Sequence, residues 1–261
     1  GVEAPRPSGL AERAKLASAQ ALALGRMLLL PPDSNTVLKG ELGTQKRVAW
    51  SEPAGLDPIK SACRRQGVKL NDLLVAALTG ALARFLEEHG RIDGLELRAL
   101  VPVYVRDASA GDELENHFGL VYVSLPIAVR DRGERLRQLH QSFESIKAQP
   151  DAVVALGVLG ALGVASTEIE HIGIQLFTRK ASVMITNVPG PPVEIHLTGS
   201  ALSEMLVWAP VSGQIGVGLS LLSYAGQVRL GVAADARRLP DPRVLVRFYE
   251  EELAALTSTA G

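Results

Sequence analysis

Three short polar groups in this chain have residue types and settings that chemistry uses. Asn71-Asp72 opens an apolar stretch, Leu73-Leu74-Val75-Ala76-Ala77-Leu78. A short polar side chain there caps a helix by accepting hydrogen bonds from its first free backbone N–H groups. The same helix start, aimed into a cleft, orients a reacting group or holds an anion. Thr186-Asn187 closes a run rich in Val, Ile and Thr, just before Pro189-Gly190-Pro191. Read locally, this is a strand end and a turn, where Asn and Gly tolerate unusual backbone angles. Read as chemistry, a hydroxyl and an amide at a strand end can donate to a substrate oxygen. The third group is His89-Gly90-Arg91-Ile92-Asp93-Gly94. Its glycines read as a helix cap and a turn, so His89 is assigned no catalytic role.

The remaining histidines, His117, His140, His171 and His196, show no HxxH, HExxH or His–Cys spacing, so no metal is expected. No GxSxG elbow and no phosphate-cradling P-loop is present. Gly216-Val217-Gly218 is too little for a nucleotide site. Cys63 is the only cysteine, which excludes an intramolecular disulfide and a Cys-rich zinc site and suits a reducing compartment.

The charge balance narrows the class further. With 27 basic and 28 acidic side chains the net charge is −1, and no basic block stands out, which argues against a nucleic-acid binder. At 47% hydrophobic and 21% charged, the 261-residue chain has ample surface for a folded core. It opens Gly1-Val2 without a signal peptide, which suits a fragment or a processed product. Its longest apolar run, Ala152 to Ala165, is broken by glycines and is shorter than the roughly 20 residues of a spanning helix.

These groups need elements to hold them. Leu10, Ala14, Ala17, Ala21, Leu24 and Leu28 recur at helical spacing, and Pro31-Pro32 ends the run. That stripe fits either a packing helix or a basic amphipathic helix on a lipid surface. Helices are predicted from Asp57-Pro58 to Gly67, from about Asp72 to His89, over 132–148 and 151–164, on to Arg179, and from Asp241 to about Leu256. Strands are predicted over 97–105, 117–125, 182–188, 193–197 and 205–208. A hairpin, 215–223 with 228–233, turns at Tyr224-Ala225-Gly226-Gln227. The whole reads as a mixed α/β layer architecture with no internal repeat.

The ordered set of motifs is specific where its members are not. It comprises Asn35-Thr36-Val37-Leu38-Lys39-Gly40, Leu70-Asn71-Asp72, Val101-Pro102-Val103-Tyr104-Val105-Arg106, and Asn116 with Gly119 ahead of Leu125-Pro126. Thr186-Asn187-Val188-Pro189-Gly190-Pro191, Ser223-Tyr224-Ala225-Gly226, Ala234-Asp235 and Pro240-Asp241 follow. From about Asn35 to Leu256 the chain resembles the C-terminal half of the bacterial wax ester synthase/diacylglycerol acyltransferase family.

That resemblance implies an α/β fold with a mixed sheet and packed helices, one half of a chloramphenicol-acetyltransferase-like architecture. Residues 1–34 would be a linker and amphipathic helix, and residues 35–261 the C-terminal acyltransferase domain. It implies two halves facing across a tunnel, with acyl-CoA as substrate and no bound cofactor or metal. An N-terminal half carrying HHxxxDG would deprotonate a long-chain alcohol or diacylglycerol. The expected location is cytoplasmic, with peripheral contact at a membrane or lipid droplet open. Asn71 and Asp72 match the family's Asn-Asp motif on the tunnel wall. Thr186 and Asn187 match its strand before the Pro-Gly turn, where the usual first residue is Ser. Pro189, Gly190 and Gly119 match structural positions. The family's Pro-Leu-Tyr segment reads Val193-Glu194-Ile195 here. His89-Gly90-Arg91-Ile92-Asp93-Gly94 spells HxxxDG, but Glu88 stands where the paired histidine would be. No His-His pair occurs in the chain, so the resemblance implies half of an active site or, as the alternative, a non-catalytic lipid-binding or assembly domain that retains the fold.

Overall fold

Backbone alternation in one sheet decides what can face what. A computed structural model describes residues 2–3, 9–106, 118–147, 154 and 167–258. The elements are β1 (Val2–Glu3), α1 (Leu10–Leu29), β2 (Lys46–Trp50), β3 (Ala54–Gly55), α2 (Leu56–Gln66), α3 (Leu70–Glu87), β4 (Leu97–Arg106) and β5 (Phe118–Leu125). Then come α4 (Arg132–Lys147), α5 (Thr167–Thr178), β6 (Val183–Pro189), β7 (His196–Leu197), β8 (Ser200–Ala201), β9 (Val217–Tyr224), β10 (Gln227–Asp235) and α6 (Arg243–Ser258).

The sheet is mixed and eight-stranded, running β4-β6-β9-β10-β2. The first three of these strands are parallel, and β10 is antiparallel to both β9 and β2. Antiparallel β5 borders β4 along Leu97–Tyr104, β1 joins at Val105, and β3 joins at the start of β10.

Side chains alternate across a strand, so each strand serves two layers. Leu97 and Ala99, Val121 and Val123, Val183 and Ile185, and Val217, Leu219 and Leu221 share one core with α2, α3, α4 and α6. The opposite face carries a smaller cluster of Leu100, Ala181 and Ile215, with Tyr122 and Met184 against it. There the Tyr122 hydroxyl donates to Phe177 O of α5 at 3.1 Å.

Several sequence expectations change. The third helix starts at Leu70, with Lys69 as its cap, rather than at Asn71 or Asp72. Asp72 sits in the first turn and its carboxylate accepts from the Lys69 backbone N–H at 3.1 Å. The segment 193–197 pairs only at His196-Leu197, with Ser200-Ala201. Met205–Trp208 joins no strand. It lies flat on the sheet face, where a Cβ on Gly218 would come within 2.4 Å of Ala209 O and one on Gly231 within 2.8 Å of Val207 O. Those two glycines exist to admit that backbone. Edge strand β2, unread in the sequence, buries only Ala49 and so lacks an alternating apolar signature. The expected helix over 151–164, apart from the helical Val154, together with Asn116 and His117, lies outside the described residues.

The first helix forms, but its predicted stripe is not the buried one. Ala23 and Met27 are buried, whereas Ala17, Ala21 and Leu28 are exposed. Leu22 and Leu29 are 68% and 84% exposed. The helix's last turns meet the domain, where Lys180 Nζ donates to Met27 O at 2.6 Å and to Leu28 O at 2.9 Å. Below it, Asp33 accepts from the Arg98 backbone N–H at 3.0 Å and from Ser182 Oγ at 2.6 Å.

A second buried charge cluster joins the helices. Glu252 of α6 accepts from Arg132 Nη2 at 2.7 Å and from Arg135 Nη1 at 3.1 Å, both on α4. The pair crosses α3 at Gly80, where a Cβ would lie 2.4 Å from Arg135 and 2.5 Å from Glu252. Burial opposes the charge on Glu252, but the hydrogen bonds and charges of Arg132 and Arg135 outweigh it and hold the carboxyl below its ordinary 4.5. As pH falls through 4.5 the unfolded chain takes up this proton before the folded one, so folding stability drops with falling pH. Glu252→Gln leaves Arg135 buried without its counter-charge and should cost about 3–5 kcal/mol at neutral pH. The gap between denaturant melts of the two proteins should narrow as pH falls below 4.5; a constant gap down to pH 3 would contradict this assignment.

Candidate functional site

The sheet opens where two of its parallel strands part. β4 and β6 pair at Ala99–Val183 and Leu100–Met184, and among the described residues no pairing continues beyond. Both strands run on, β4 to Arg106 and β6 to Pro189, with β6 still paired to β9 as far as Pro189–Ser223. A crevice at the carboxyl ends of parallel strands is where open α/β sheets accept ligands. Thr186 and Asn187 lie on the stretch of β6 that borders this split.

Asn187 follows Ile185 onto the helix face and meets the start of α3. Its Nδ2 donates to Asn71 Oδ1 at 3.0 Å, across 116 residues of sequence. Two residues singled out separately in the sequence therefore touch. Asn187 is exposed and Asn71 half-buried, so the contact sits at the surface of the crevice. An Asn amide has two N–H donors, and this contact uses one of them. Thr186 is the exception. Alternation puts it with Met184 on the opposite face, so its hydroxyl and the Asn187 amide do not converge on one oxygen. On that face an apolar cavity of about 100 Å³ is lined by Leu100, Leu120, Phe177, Met184 and Ile215.

Asp72 is fully buried and anchors the helix start. Its Oδ2 takes the Lys69 N–H and a contact of 2.6 Å from His140 Nδ1 on α4, while Oδ1 is buried without a partner. One turn further along α4, Glu144 takes Lys69 Nζ at 2.7 Å. The first turn of α3 is thus clamped to α4 on one side and touches β6 on the other. His140 escaped the sequence reading because its partner is 68 residues away and no local spacing records the pair.

The other candidates stand apart. His89 ends α3, its Nδ1 2.8 Å from Phe85 O and its ring against Phe85. His196 is on the exposed β7 hairpin. The side chain of His171 lies outside the described residues. Cys63 is buried, and burial together with nearby Asp72 pushes its thiol pKa up, away from nucleophilic use. Gly119 is buried in β5 opposite Val103. Gly190 has a strict role: its N–H donates to Ser223 O at 2.9 Å, and a Cβ there would lie 2.3 Å from that same oxygen. The Pro189-Gly190-Pro191 turn is thereby seated on the end of β9. Among the described residues no three His, Cys, Asp or Glu side chains are grouped to hold a metal ion, and no helix is long and apolar enough to cross a membrane.

Comparison with known proteins bears on the family and the fold. The model of the WS/DGAT C-terminal domain matches residues 114–257. Two Mycobacterium tuberculosis proteins, tgs1 and tgs2, each named a probable diacylglycerol O-acyltransferase, are 27% and 26% identical over 85% and 93% of this chain. The alignments cover 49% and 54% of those proteins, so the chain spans about half the length of the curated relatives it matches. Among solved structures, the wax ester synthase/diacylglycerol acyltransferase of Marinobacter aquaeolei VT8 superposes with a TM-score of 0.68 at 23% identity, covering 97% of this chain and 57% of that one. A condensation domain from the enacyloxin polyketide synthase gives a TM-score of 0.55 at 15% identity over 97% of this chain and 49% of its own. The fold is the chloramphenicol-acetyltransferase-like half expected from the sequence.

The Asn71–Asn187 contact is measurable in the folded chain. Asn71→Ala and Asn187→Ala, combined in a double-mutant cycle of denaturant stability, should show a coupling of about 0.5–1 kcal/mol, the low end for a hydrogen bond because the pair is wet. Zero coupling would mean the contact is not held in solution. His140→Phe removes a donor from a buried carboxylate and should cost about 1–3 kcal/mol, with His140→Gln recovering part of it.

Proposed function

The chain belongs to the WS/DGAT C-terminal domain family, and from that premise we propose that it forms one wall of the acyl/alcohol tunnel of an acyl-CoA-dependent O-acyltransferase making wax esters or triacylglycerol. In this reading residues 1–34 lead into the acyltransferase domain at 35–261, and the catalytic HHxxxDG half is a partner from the same precursor or a separate chain. That half's histidine takes the proton from the alcohol. The alcohol oxygen attacks the thioester carbonyl, and the tetrahedral intermediate collapses to ester with loss of the CoA thiolate.

The observation that carries the proposal is the Asn187–Asn71 hydrogen bond beside the split between β4 and β6. Asn71 accepts one amide hydrogen and thereby orients the Asn187 amide. The second N–H remains to stabilise negative charge growing on the thioester oxygen. The apolar cavity on the opposite face, next to Met184 on the Thr186 side, supports a place for part of the acyl chain. Such walls discriminate weakly per methylene, about 1–3 kcal/mol, so they suit a range of chain lengths.

The test is transfer from labelled acyl-CoA to hexadecanol or diacylglycerol, with and without the HHxxxDG half. Ester should form only with both present. In the assembled enzyme Asn187→Ala should lower turnover about 10²–10³-fold, the loss expected for one oxyanion donor. Ester made by this chain alone would overturn the half-site reading and turn attention to His140, the described histidine held by a buried carboxylate.

A further inference from the structure

The far end of α3 carries a second polar cleft that the proposed reaction does not use. The helix runs from Leu70 to Glu87, so this end lies about 24 Å from Asn71 at 1.5 Å per residue. Here the Asn35–Gly40 turn, the end of α3 and the turn after β10 enclose a cleft of about 410 Å³. That is within the size range of small-molecule sites, roughly 300–1,000 Å³. Asn35, Thr36, Lys39, His89, Arg91 and Arg238 line it, with no acidic residue among the lining.

Two of the residues on these walls carry a polar atom, Thr36 Oγ1 and Arg238 Nε, that is buried beneath the surface and has no partner among the described residues. A buried hydroxyl and a buried guanidinium N–H left unpaired are costly, on the order of 1–3 kcal/mol each, which points to a ligand that satisfies them. The rest of the guanidinium is held in place: Arg238 Nη1 donates to Lys39 O at 2.9 Å, under the glycine at position 40. The opening is flanked by Arg91, an exposed side chain whose guanidinium meets the exposed Asp93 at 3.2 Å.

One effect works against an anion here. A helix C-terminus carries about half a negative charge. The end of α3 is, however, covered by its own caps: the His89 backbone N–H donates to Leu86 O at 3.0 Å, and the His89 ring nitrogen Nδ1 meets Phe85 O at 2.8 Å. Nδ1 must carry the proton to make that contact, which leaves Nε2 as the free nitrogen of the ring. That partial charge, already hydrogen-bonded, is outweighed by the full charge of Arg238, with Arg91 and its exposed partner Asp93 at the opening.

We propose that this cleft binds the phosphoryl group of a small phosphate monoester or of a lipid headgroup, held by Arg238 Nε, Thr36 Oγ1 and Arg91. The site is independent of the acyl-transfer reading. It gives a use to two segments the reaction leaves idle, the Asn35–Gly40 turn and the turn at His89–Gly94.

Binding is measured on the whole chain by calorimetry with glycerol 3-phosphate, with glycerol as the uncharged control, and by co-sedimentation with phosphatidylcholine vesicles with and without phosphatidic acid. Binding of glycerol 3-phosphate but not glycerol supports a soluble ester; retention only on phosphatidic-acid vesicles supports a headgroup. Thr36→Val and the exposed Arg91→Glu should each weaken whichever binding is found by about tenfold or more, with the fold checked by circular dichroism. Absence of binding in both assays, equal binding of glycerol, or unchanged binding in both variants would overturn the proposal.

Discussion

A carboxylate shut away from water must be met by donors, and Asp72 is such a group. Its surroundings set the geometry of everything near the crevice. The Lys69 N–H and His140 Nδ1 both reach Oδ2, so the first turn of α3 cannot shift without stranding a buried charge. Because α3 runs through the centre of the core, its start is a fixed point for α4 through His140 and Glu144. Asn71, one residue earlier, is thereby delivered to Asn187. A wet amide–amide hydrogen bond contributes little by itself. It persists here because both partners are held by elements whose positions are settled elsewhere.

The sequence made legible those elements whose pattern is local. Ser182 to Val188 is rich in Val, Ile and Thr, Tyr224-Ala225-Gly226-Gln227 supplies a two-residue turn, and Leu73 to Leu78 is apolar on every side. All three appear within a residue or two of their expected places. In the hairpin, Ala225 and Gly226 take φ values of +46° and +77°, as a turn matching the right-handed twist of its strands requires. What failed to read was set by distant partners. Edge strand β2 is made by pairing with β10 and buries a single residue. The segment 205–208 looks like a strand by composition, yet the glycines at 218 and 231 let it lie on the sheet face. In α1 the periodic stripe was genuine, but nothing in a 3.6-residue pattern says which face the rest of the chain will cover.

The site divides in the same way. Asn71, Asp72, Thr186 and Asn187 stood out because short polar residues interrupt apolar runs at element ends. Their mutual geometry was hidden, since strand parity alone separates Thr186 from Asn187 and only the fold brings Asn187 to Asn71. His140 carried no signal, because its partner sits on another helix.

The distribution of buried charge explains how such an open crevice can be stable. Asp33 with Arg98, and Glu252 with Arg132 and Arg135, are closed by several hydrogen bonds each. Both lie away from the split end of the sheet, one below α1 and one between α3, α4 and α6. A buried ion pair adds little net stability over an apolar substitute, but breaking it is expensive, so it specifies one arrangement of its elements. These two clusters fix the helices and the first strands. Among the described residues the pairing of β4 with β6 ends at Leu100 and Met184, and their carboxyl ends diverge from there. An unpaired strand edge would ordinarily invite association with another strand. Here that edge borders the crevice where Asn187 and Asn71 meet, so the backbone that the split leaves without a strand partner among the described residues lies beside the amides at its mouth.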